Sequence, residues 1–129
     1  MRIVGHGVDL VAVARIGEML SKHGEQFLQR CFGLGERAYM EGGRRYHEHL
    51  AARFAAKEAA MKALGTGLAG GVTWLDFQVE KDGAGVPVLR IAGRAAELAV
   101  AAGIDQWLIS LTHIDDAALA SVLAVANNA

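Results

Sequence analysis

One alanine-rich helix constrains this chain more than any other feature of its sequence. Apolar residues recur at helical spacing from about Tyr46 to Leu64, and Gly65 is a typical helix end. On a helical wheel, the large apolar residues form one stripe: Leu50, Phe54, Met61 and Leu64. Small alanines cover most of the opposite face, where an ordinary surface helix carries its charges. We therefore expect the alanine face to be closely packed and not exposed to solvent.

The charged residues of this helix lie beside its apolar stripe. Arg53 and Lys57 flank the stripe on one side, and Glu58 and Lys62 flank it on the other. Because the alanine face is expected to be packed, these charges are predicted to lie in a partly closed site. The alternative is that Glu58 and Lys62, four residues apart, form an exposed ion pair that contributes only about 0.3–0.5 kcal/mol. The wheel alone does not decide between the two interpretations.

The other segments predict a single α+β domain that spans residues 1–129, with an antiparallel sheet and one long packed helix. Period-two alternation predicts strands, and helical spacing predicts shorter helices. The predicted strands are 2–10, a strand containing Leu75, Phe77 and Val79, 87–91, 107–112 and 118–125. The predicted shorter helices are a first one that ends near Gly24, 25–32, 35–40 and 92–102.

Asp9, near the end of the first strand, is the second carboxylate of interest. It either caps the helix that follows or belongs to a ligand site. Gly5 and Gly7 share its strand face and would let a bulky ligand approach the backbone. Two carboxylates, several cations and a glycine-rich loop at 65–71 suit a polyphosphate with magnesium. The loop has neither P-loop nor GxGxxG spacing, so the pattern indicates no more than a candidate phosphate site.

The composition excludes several classes of protein. The net formal charge of −1 gives no basic excess for a nucleic-acid partner. The apolar runs 98–104 and 117–126 are shorter than the roughly 18 residues of a membrane span, and the N-terminus lacks a signal-peptide stretch. The single cysteine, Cys31, excludes an intrachain disulfide and suits a reducing compartment. We expect a cytoplasmic protein that binds neither nucleic acid nor membranes.

Two segments resemble the holo-(acyl-carrier-protein) synthases, a family of small phosphopantetheinyl transferases. They are Gly5 to Leu10 (GHGVDL) and Arg53 to Gly67 (RFAAKEAAMKALGTG), and the second match is long and unbroken. The resemblance continues through Trp74 to Phe77 (WLDF) and Ser110 to His113 (SLTH). Two departures stand out. Thr112 replaces the more usual serine, and the turn at 83–87 lacks the asparagine-glycine-basic sequence often found there.

The resemblance implies a reaction. The serine hydroxyl of an apo acyl carrier protein attacks the pyrophosphate of coenzyme A, and phosphopantetheine is transferred in support of fatty acid biosynthesis. Asp9 and Glu58 would hold Mg²⁺ and, with Lys62, form the catalytic group. Lys62 would stabilise the leaving or transferring phosphate, or act as the base; water on the metal is the competing base. A polyketide or peptide carrier domain, or coenzyme A binding without catalysis, are the alternatives.

The resemblance also implies binding residues and partners. Those implied for coenzyme A are Arg53, Lys57, the backbone of Gly65, Thr66 and Gly67, and His113. The carrier protein is acidic, so basic residues near the site are expected to bind it. The candidates are Arg15, Lys22, Arg44 and Arg45. Small members of the family form trimers with sites between subunits, so a homotrimer is implied here.

Overall fold

The computed structural model describes residues 1–40, 43 and 45–127. The strands are β1 (Arg2–Ala12), β2 (Phe77–Lys81), β3 (Pro87–Ile91), β4 (Gln106–His113) and β5 (Ala117–Ala126). The helices are α1 (Val13–His23), α2 (Glu25–Cys31), α3 (Leu34–Met40), α4 (Tyr46–Leu64) and α5 (Gly93–Ala101), with a short 3-10 helix at Trp74–Asp76. The predicted α+β class is confirmed. Within the described residues, no helix is both long enough and apolar enough to cross a membrane.

The strands form two antiparallel sheets. Three strands pair in the order β1-β5-β4, and β2 and β3 form a separate hairpin. In the larger sheet Asp9 lies opposite Ala120, and Ala118 of the central strand lies between Val11 and His113. The predicted closing hairpin is therefore present. It places the end of β4 close to the end of β1.

Helix α4 packs its alanine face directly against the larger sheet. A β-carbon on Gly5 would lie 1.9 Å from the carbonyl oxygen of Ala63, and one on Gly7 would lie 1.8 Å from that of Ala59. The two glycines therefore make room for the helix backbone. The expectation that they make room for a ligand was wrong, because the sequence did not show that α4 crosses β1 on this face.

Helix α4 is the centre of the core. Leu50 to Ala63 are buried except for Glu58 and Lys62, so the expected packing of the alanine face is confirmed. On the bulky side, the ring of Phe54 stacks on that of Trp74, with 4.8 Å between their centroids. A helix buried around nearly its whole circumference leaves few positions for solvent-facing groups. Glu58 and Lys62 mark where it meets the surface.

The segment before β2 differs from the prediction. Leu75 was expected to begin the strand, but it lies in the 3-10 helix, and β2 begins at Phe77. Thr73 and Asp76 form a capping box that fixes this short helix. The Asp76 carboxylate also accepts a hydrogen bond from the backbone N–H of Ala95, 3.2 Å away. One side chain thus joins the 3-10 helix to the start of α5.

Candidate active site

Asp9 and Lys62 meet where β1 passes the last turns of α4. The ammonium of Lys62 lies 3.2 Å from Oδ1 of Asp9 and donates a hydrogen bond to the carbonyl of Val8 at 2.9 Å. Helix α1 begins after Ala12, and no side chain caps its first turn. The interpretation of Asp9 as a helix cap was therefore wrong, because its carboxylate faces α4.

Glu58 lies one turn before Lys62 and faces the same region. Burial raises the pKa of Glu58, the nearby carboxylate of Asp9 raises it further, and Arg15 and Lys62 oppose the shift. The two carboxylates are thus close enough to repel each other. A divalent cation would relieve that repulsion, and Mg²⁺ commonly uses one or two carboxylates together with substrate phosphates. The described residues contain no cluster of three or more metal-ligating side chains. A metal ion at this site would therefore have Asp9 and Glu58 as its two protein ligands.

Lys57 does not belong to this site. It is completely buried, and its ammonium lies 2.7 Å from Oε1 of Glu36. It also donates to the carbonyls of Trp74 and Phe77, so its three donors have three acceptors. The predicted role of Lys57 in binding coenzyme A phosphates was wrong. The wheel showed its angle around the helix but not the buried glutamate of α3 that it meets.

The glycine-rich loop after α4 also differs from the prediction. Gly65 adopts a left-handed conformation with φ of 87°, which only glycine adopts easily. Its N–H and that of Thr66 both donate to the carbonyl of Met61, at 2.9 and 3.3 Å. These two amides end the helix, so the expectation that they bind a ligand was wrong. Gly67 has φ of 56°, and its amide is not part of this helix cap.

A second polar group lies near the start of α4, and we call it the histidine cluster. The ring of His49 is edge-on to that of His113, with centroids 5.8 Å apart. Nδ1 of His113 lies 3.5 Å from Oε2 of Glu48. Burial lowers the pKa of His49, and electrostatic interactions with Arg53 and His113 lower it further. The histidine cluster therefore consists of Glu48, His49, Arg53 and His113.

Arg53 is the most buried member of the histidine cluster. It is 7% exposed, and its Nε has no hydrogen-bond partner among the described residues. Burial lowers the pKa of Arg53, and the carboxylate of Glu36 opposes this shift. A buried polar atom without a hydrogen bond is costly, so Nε of Arg53 is a candidate donor to a bound anion.

The two polar groups occupy different parts of α4. Glu48 and Glu58 are separated by about 15 Å along the helix axis, and Arg53 and Glu58 point about 140° apart around it. The charges that act on Glu58 are those of Asp9, Arg15 and Lys62, and none of the histidine cluster is among them. The structure therefore brings Asp9, Glu58 and Lys62 together but does not place Arg53 and His113 beside them.

The residues predicted to bind the carrier protein are distributed over two regions. Arg15 is exposed on α1, and its guanidinium lies 5.4 Å from the ring centroid of Phe54. Lys22 is exposed on the last turn of α1. Nε of Arg45 lies 3.7 Å from Oε2 of Glu48, near the start of α4. Arg44 lies outside the described residues. A groove of about 740 Å³, which the sequence did not predict, lies between α1, α2 and the 3-10 helix. Residues that line it include Met19, His23, Gln26, Phe27, Arg30 and Leu75.

The fold and the site define a class of protein. The model of the 4'-phosphopantetheinyl transferase superfamily matches residues 5–121, and the chain belongs to this superfamily. A holo-(acyl-carrier-protein) synthase from Koribacter versatilis is 43% identical over 121 residues, which are 94% of this chain and 97% of that protein. The predicted family is therefore confirmed.

Solved structures agree with this assignment. The crystal structure of the holo-(acyl-carrier-protein) synthase from Neisseria meningitidis superposes with a TM-score of 0.87 and 33% identity, covering 96% of this chain and 99% of that one. The holo-(acyl-carrier-protein) synthase from Bacillus anthracis, in complex with CoA (3',5'-ADP), gives a TM-score of 0.79 and 35% identity. The match covers 97% of this chain and 98% of that one.

Proposed function

We propose that this protein transfers phosphopantetheine from coenzyme A to a serine of apo acyl carrier protein. The serine oxygen forms a bond to the phosphorus that bears pantetheine. The bond from that phosphorus to the bridging oxygen breaks, and the electron pair leaves on adenosine 3',5'-bisphosphate. The serine proton passes to a base. This chemistry requires neutralisation of the pyrophosphate charge and an aligned nucleophile.

The cluster of Asp9, Glu58 and Lys62 carries this proposal. Asp9 and Glu58 would hold Mg²⁺, which when bound supplies charge neutralisation for the pyrophosphate. The ammonium of Lys62 is held beside them by Asp9 and the Val8 carbonyl. We assign Lys62 to stabilising the charge that develops on the phosphates. Arg15 adds a further cation near Glu58.

The histidine cluster supplies the features expected of a second phosphate subsite. Arg53 is a buried cation whose Nε has no partner in the described part of the chain. Its planar guanidinium suits bidentate binding of a phosphate. His113 contacts His49 in the same cluster, and a quarter of its side chain is exposed. We assign both residues to phosphate groups of coenzyme A that are distant from the reacting phosphorus.

The outer face of the larger sheet supports assembly with further copies of the chain. Helix α4 covers the inner face, and the outer face carries several exposed apolar side chains among polar ones. Val8 is 42% exposed, Leu10 65% and Leu108 43%. On the central strand of this face, Leu119 lies opposite Leu10 and Leu123 lies opposite Leu108, and Ser121 lies between Val8 and Ser110. Exposed apolar side chains grouped on one face with polar neighbours are typical of an interface. We propose that two further copies cover it in a homotrimer, the assembly that the family resemblance implies.

Assembly accounts for the separation of the two polar groups. Glu58 and Lys62 lie on one side of α4, beside Asp9. Arg53 lies about 7.5 Å before Glu58 along the helix axis and points about 140° away from it, and Glu48 lies about 15 Å before Glu58. We propose that one subunit supplies the carboxylates and Lys62, and that a neighbouring subunit supplies Arg53 and His113. A complete site then exists only where two copies meet.

Carrier protein docking is assigned to the exposed face of α1. Arg15 and Lys22 present cations there, and the groove beside them offers the apolar surface of Met19 and Phe27. An acidic partner with a small apolar anchor fits this combination. In steady-state assays Lys22→Glu should raise the KM for carrier protein and leave that for coenzyme A unchanged. Equal changes in both would remove Lys22 from the docking surface.

The release of adenosine 3',5'-bisphosphate tests the proposed reaction. The protein is incubated with coenzyme A, Mg²⁺ and apo acyl carrier protein, and nucleotides are separated by chromatography. Release is expected with the apo protein but not with a variant whose acceptor serine is alanine. Release without an acceptor would indicate hydrolysis in place of transfer.

The single cysteine bears on the proposed cytoplasmic location. Burial raises the pKa of the Cys31 thiol to about 11, and a free, buried thiol is compatible with a reducing compartment.

A further inference from the structure

Two buried polar atoms in the histidine cluster face each other. Oε2 of Glu48 and Nδ1 of His113 are both inaccessible to solvent, and neither makes a hydrogen bond to the described residues. They are 3.5 Å apart, the distance of an ion pair. Nε of Arg45 is 3.7 Å from the same oxygen, but the Arg45 side chain is 64% exposed. Buried polar atoms without partners are rare in folded proteins, so this pair requires an explanation.

A proton on Nδ1 of His113 satisfies both atoms. The ring nitrogen then donates and the carboxylate accepts, so a small closure of the 3.5 Å gap makes a charge-assisted hydrogen bond. The nitrogen that carries the proton in a histidine is set by the partner of the other ring atom. With Nδ1 held by Glu48, Nε2 is the nitrogen that remains for a ligand.

We propose that Glu48 is a positioning residue that fixes the tautomer and orientation of His113 for binding a phosphate of coenzyme A. This inference rests on the proposed function, which assigns His113 to that ligand. When the phosphate binds, Nε2 donates to it and the imidazolium lies between two anions. Carboxylates that orient a histidine from behind in this way also occur at metal sites.

The surrounding charges support this arrangement. His49 packs edge-on against His113, and burial together with electrostatic interactions with Arg53 and His113 lowers the pKa of His49. The lowered pKa favours the neutral form of His49, and its ring packs against that of His113. Lys81 also lowers the pKa of His49, and the carboxylate of Glu48 opposes the shift. Arg53 and Lys81 therefore both contribute positive charge near the histidine cluster.

A double-mutant cycle tests the dependence of Glu48 on His113. Glu48→Met removes the acceptor at similar length, and Glu48→Gln retains a neutral acceptor. Glu48→Met is expected to raise the KM for coenzyme A by about tenfold and to leave the KM for carrier protein unchanged. Glu48→Gln should recover part of this loss. In a His113→Ala background, Glu48→Met should change the KM for coenzyme A by less than about twofold.

The control variant is Glu97→Met, which removes an exposed acid on α5 and should leave both KM values unchanged. Independent losses in the cycle, or equal rises in both KM values with a lower melting temperature, would overturn the positioning role. If the wild-type protein neither binds coenzyme A nor transfers phosphopantetheine, the proposed function itself is wrong, and not only the pairing of Glu48 with His113.

Nitrogen-15 spectroscopy of histidine-labelled wild-type protein tests the pairing without a substitution in Glu48. The His113 ring is assigned from the resonances that disappear in His113→Ala. The neutral ring is expected to carry its proton on Nδ1, with a second proton appearing on Nε2 when coenzyme A is added. A neutral ring protonated on Nε2 would contradict the proposal even if Glu48→Met failed to fold.

Discussion

A β-carbon on Gly7 would lie 1.8 Å from the carbonyl oxygen of Ala59 and 2.9 Å from the backbone nitrogen of Ala63. The backbone of α4 therefore rests directly on β1, and the position of Glu58 and Lys62 relative to Asp9 depends on this contact. Gly7→Ala would force the helix away from the strand. The packing of two small residues thus determines the geometry of the site.

Gly7→Ala should lower the free energy of unfolding by about 3 kcal/mol or more, because the added carbon has no space and backbone atoms must shift. Chemical denaturation followed by circular dichroism measures the change. Gly83→Ala is the control, since a β-carbon there meets nothing within 4 Å, and it should change stability by less than about 0.5 kcal/mol. Equal effects of the two substitutions would contradict the close packing of α4 on β1.

Two lysines of α4 are expected to behave differently when each is replaced by methionine. Lys57→Met leaves Glu36 buried without its cation and should cost about 3–5 kcal/mol of stability. Lys62 is more than half exposed, so Lys62→Met should cost less than about 1 kcal/mol while abolishing most of the transfer activity. A stable Lys57→Met variant with a raised KM for coenzyme A would restore Lys57 to the phosphate site.

Glu58→Gln should separate stability from activity. Burial and Asp9 raise the folded-state pKa of Glu58 above its ordinary value of 4.5, so the ionised carboxylate destabilises the metal-free fold. That destabilisation is absent at acid pH and develops as pH rises through the folded-state pKa. Without metal at neutral pH, Glu58→Gln should therefore raise the melting temperature, although it should abolish transfer.

Magnesium provides the matching measurement for Glu58. Ligands that bind the native state raise its melting temperature. Mg²⁺ should therefore raise the melting temperature of the wild type more than that of Glu58→Gln, and the difference should shrink as pH falls and Glu58 becomes protonated. An equal response of both proteins to Mg²⁺ would exclude Glu58 as a ligand.

Mixing two impaired variants tests whether the site is shared between subunits. Glu58→Gln and His113→Ala are each expected to impair transfer. After unfolding and joint refolding in equal amounts, about a quarter of the sites in a random trimer would combine intact Glu58 with intact His113 from a neighbour. Activity should therefore recover in the mixture, and the active protein should sediment as a trimer. No recovery in a mixed trimer would indicate that one subunit supplies both residues.

The sequence predicted the elements of this fold better than their contacts. The bounds of α4 and β3 match the prediction, because caps and periodicity are local signals. The roles of Gly5 and Gly7 could not be predicted, since they depend on which element crosses β1. Lys57 was misassigned for the same reason. Its partner, Glu36, lies 21 residues away on a short helix and carries no pattern of its own.

The candidate site shows the same division. Glu58 and Lys62 lie one helical turn apart, so the wheel alone placed them on one side of α4, and the structure adds Asp9 from 53 residues away. Glu48 was missed altogether. A single acid in the first turn of a helix is ordinary, and the half-buried histidine that it faces, His113, lies at the end of β4. Long-range pairs of this kind become visible only when the chain is folded.

Intact mass spectrometry of apo acyl carrier protein tests the central claim most directly. The carrier protein is incubated with coenzyme A and the enzyme, with Mg²⁺ or with a chelator, and in parallel with Glu58→Gln. We expect a mass gain equal to one phosphopantetheine, and we expect it to be lost with the chelator and with the variant. If wild-type enzyme with Mg²⁺ and a competent apo carrier protein gives no mass gain, the proposed transfer reaction is wrong.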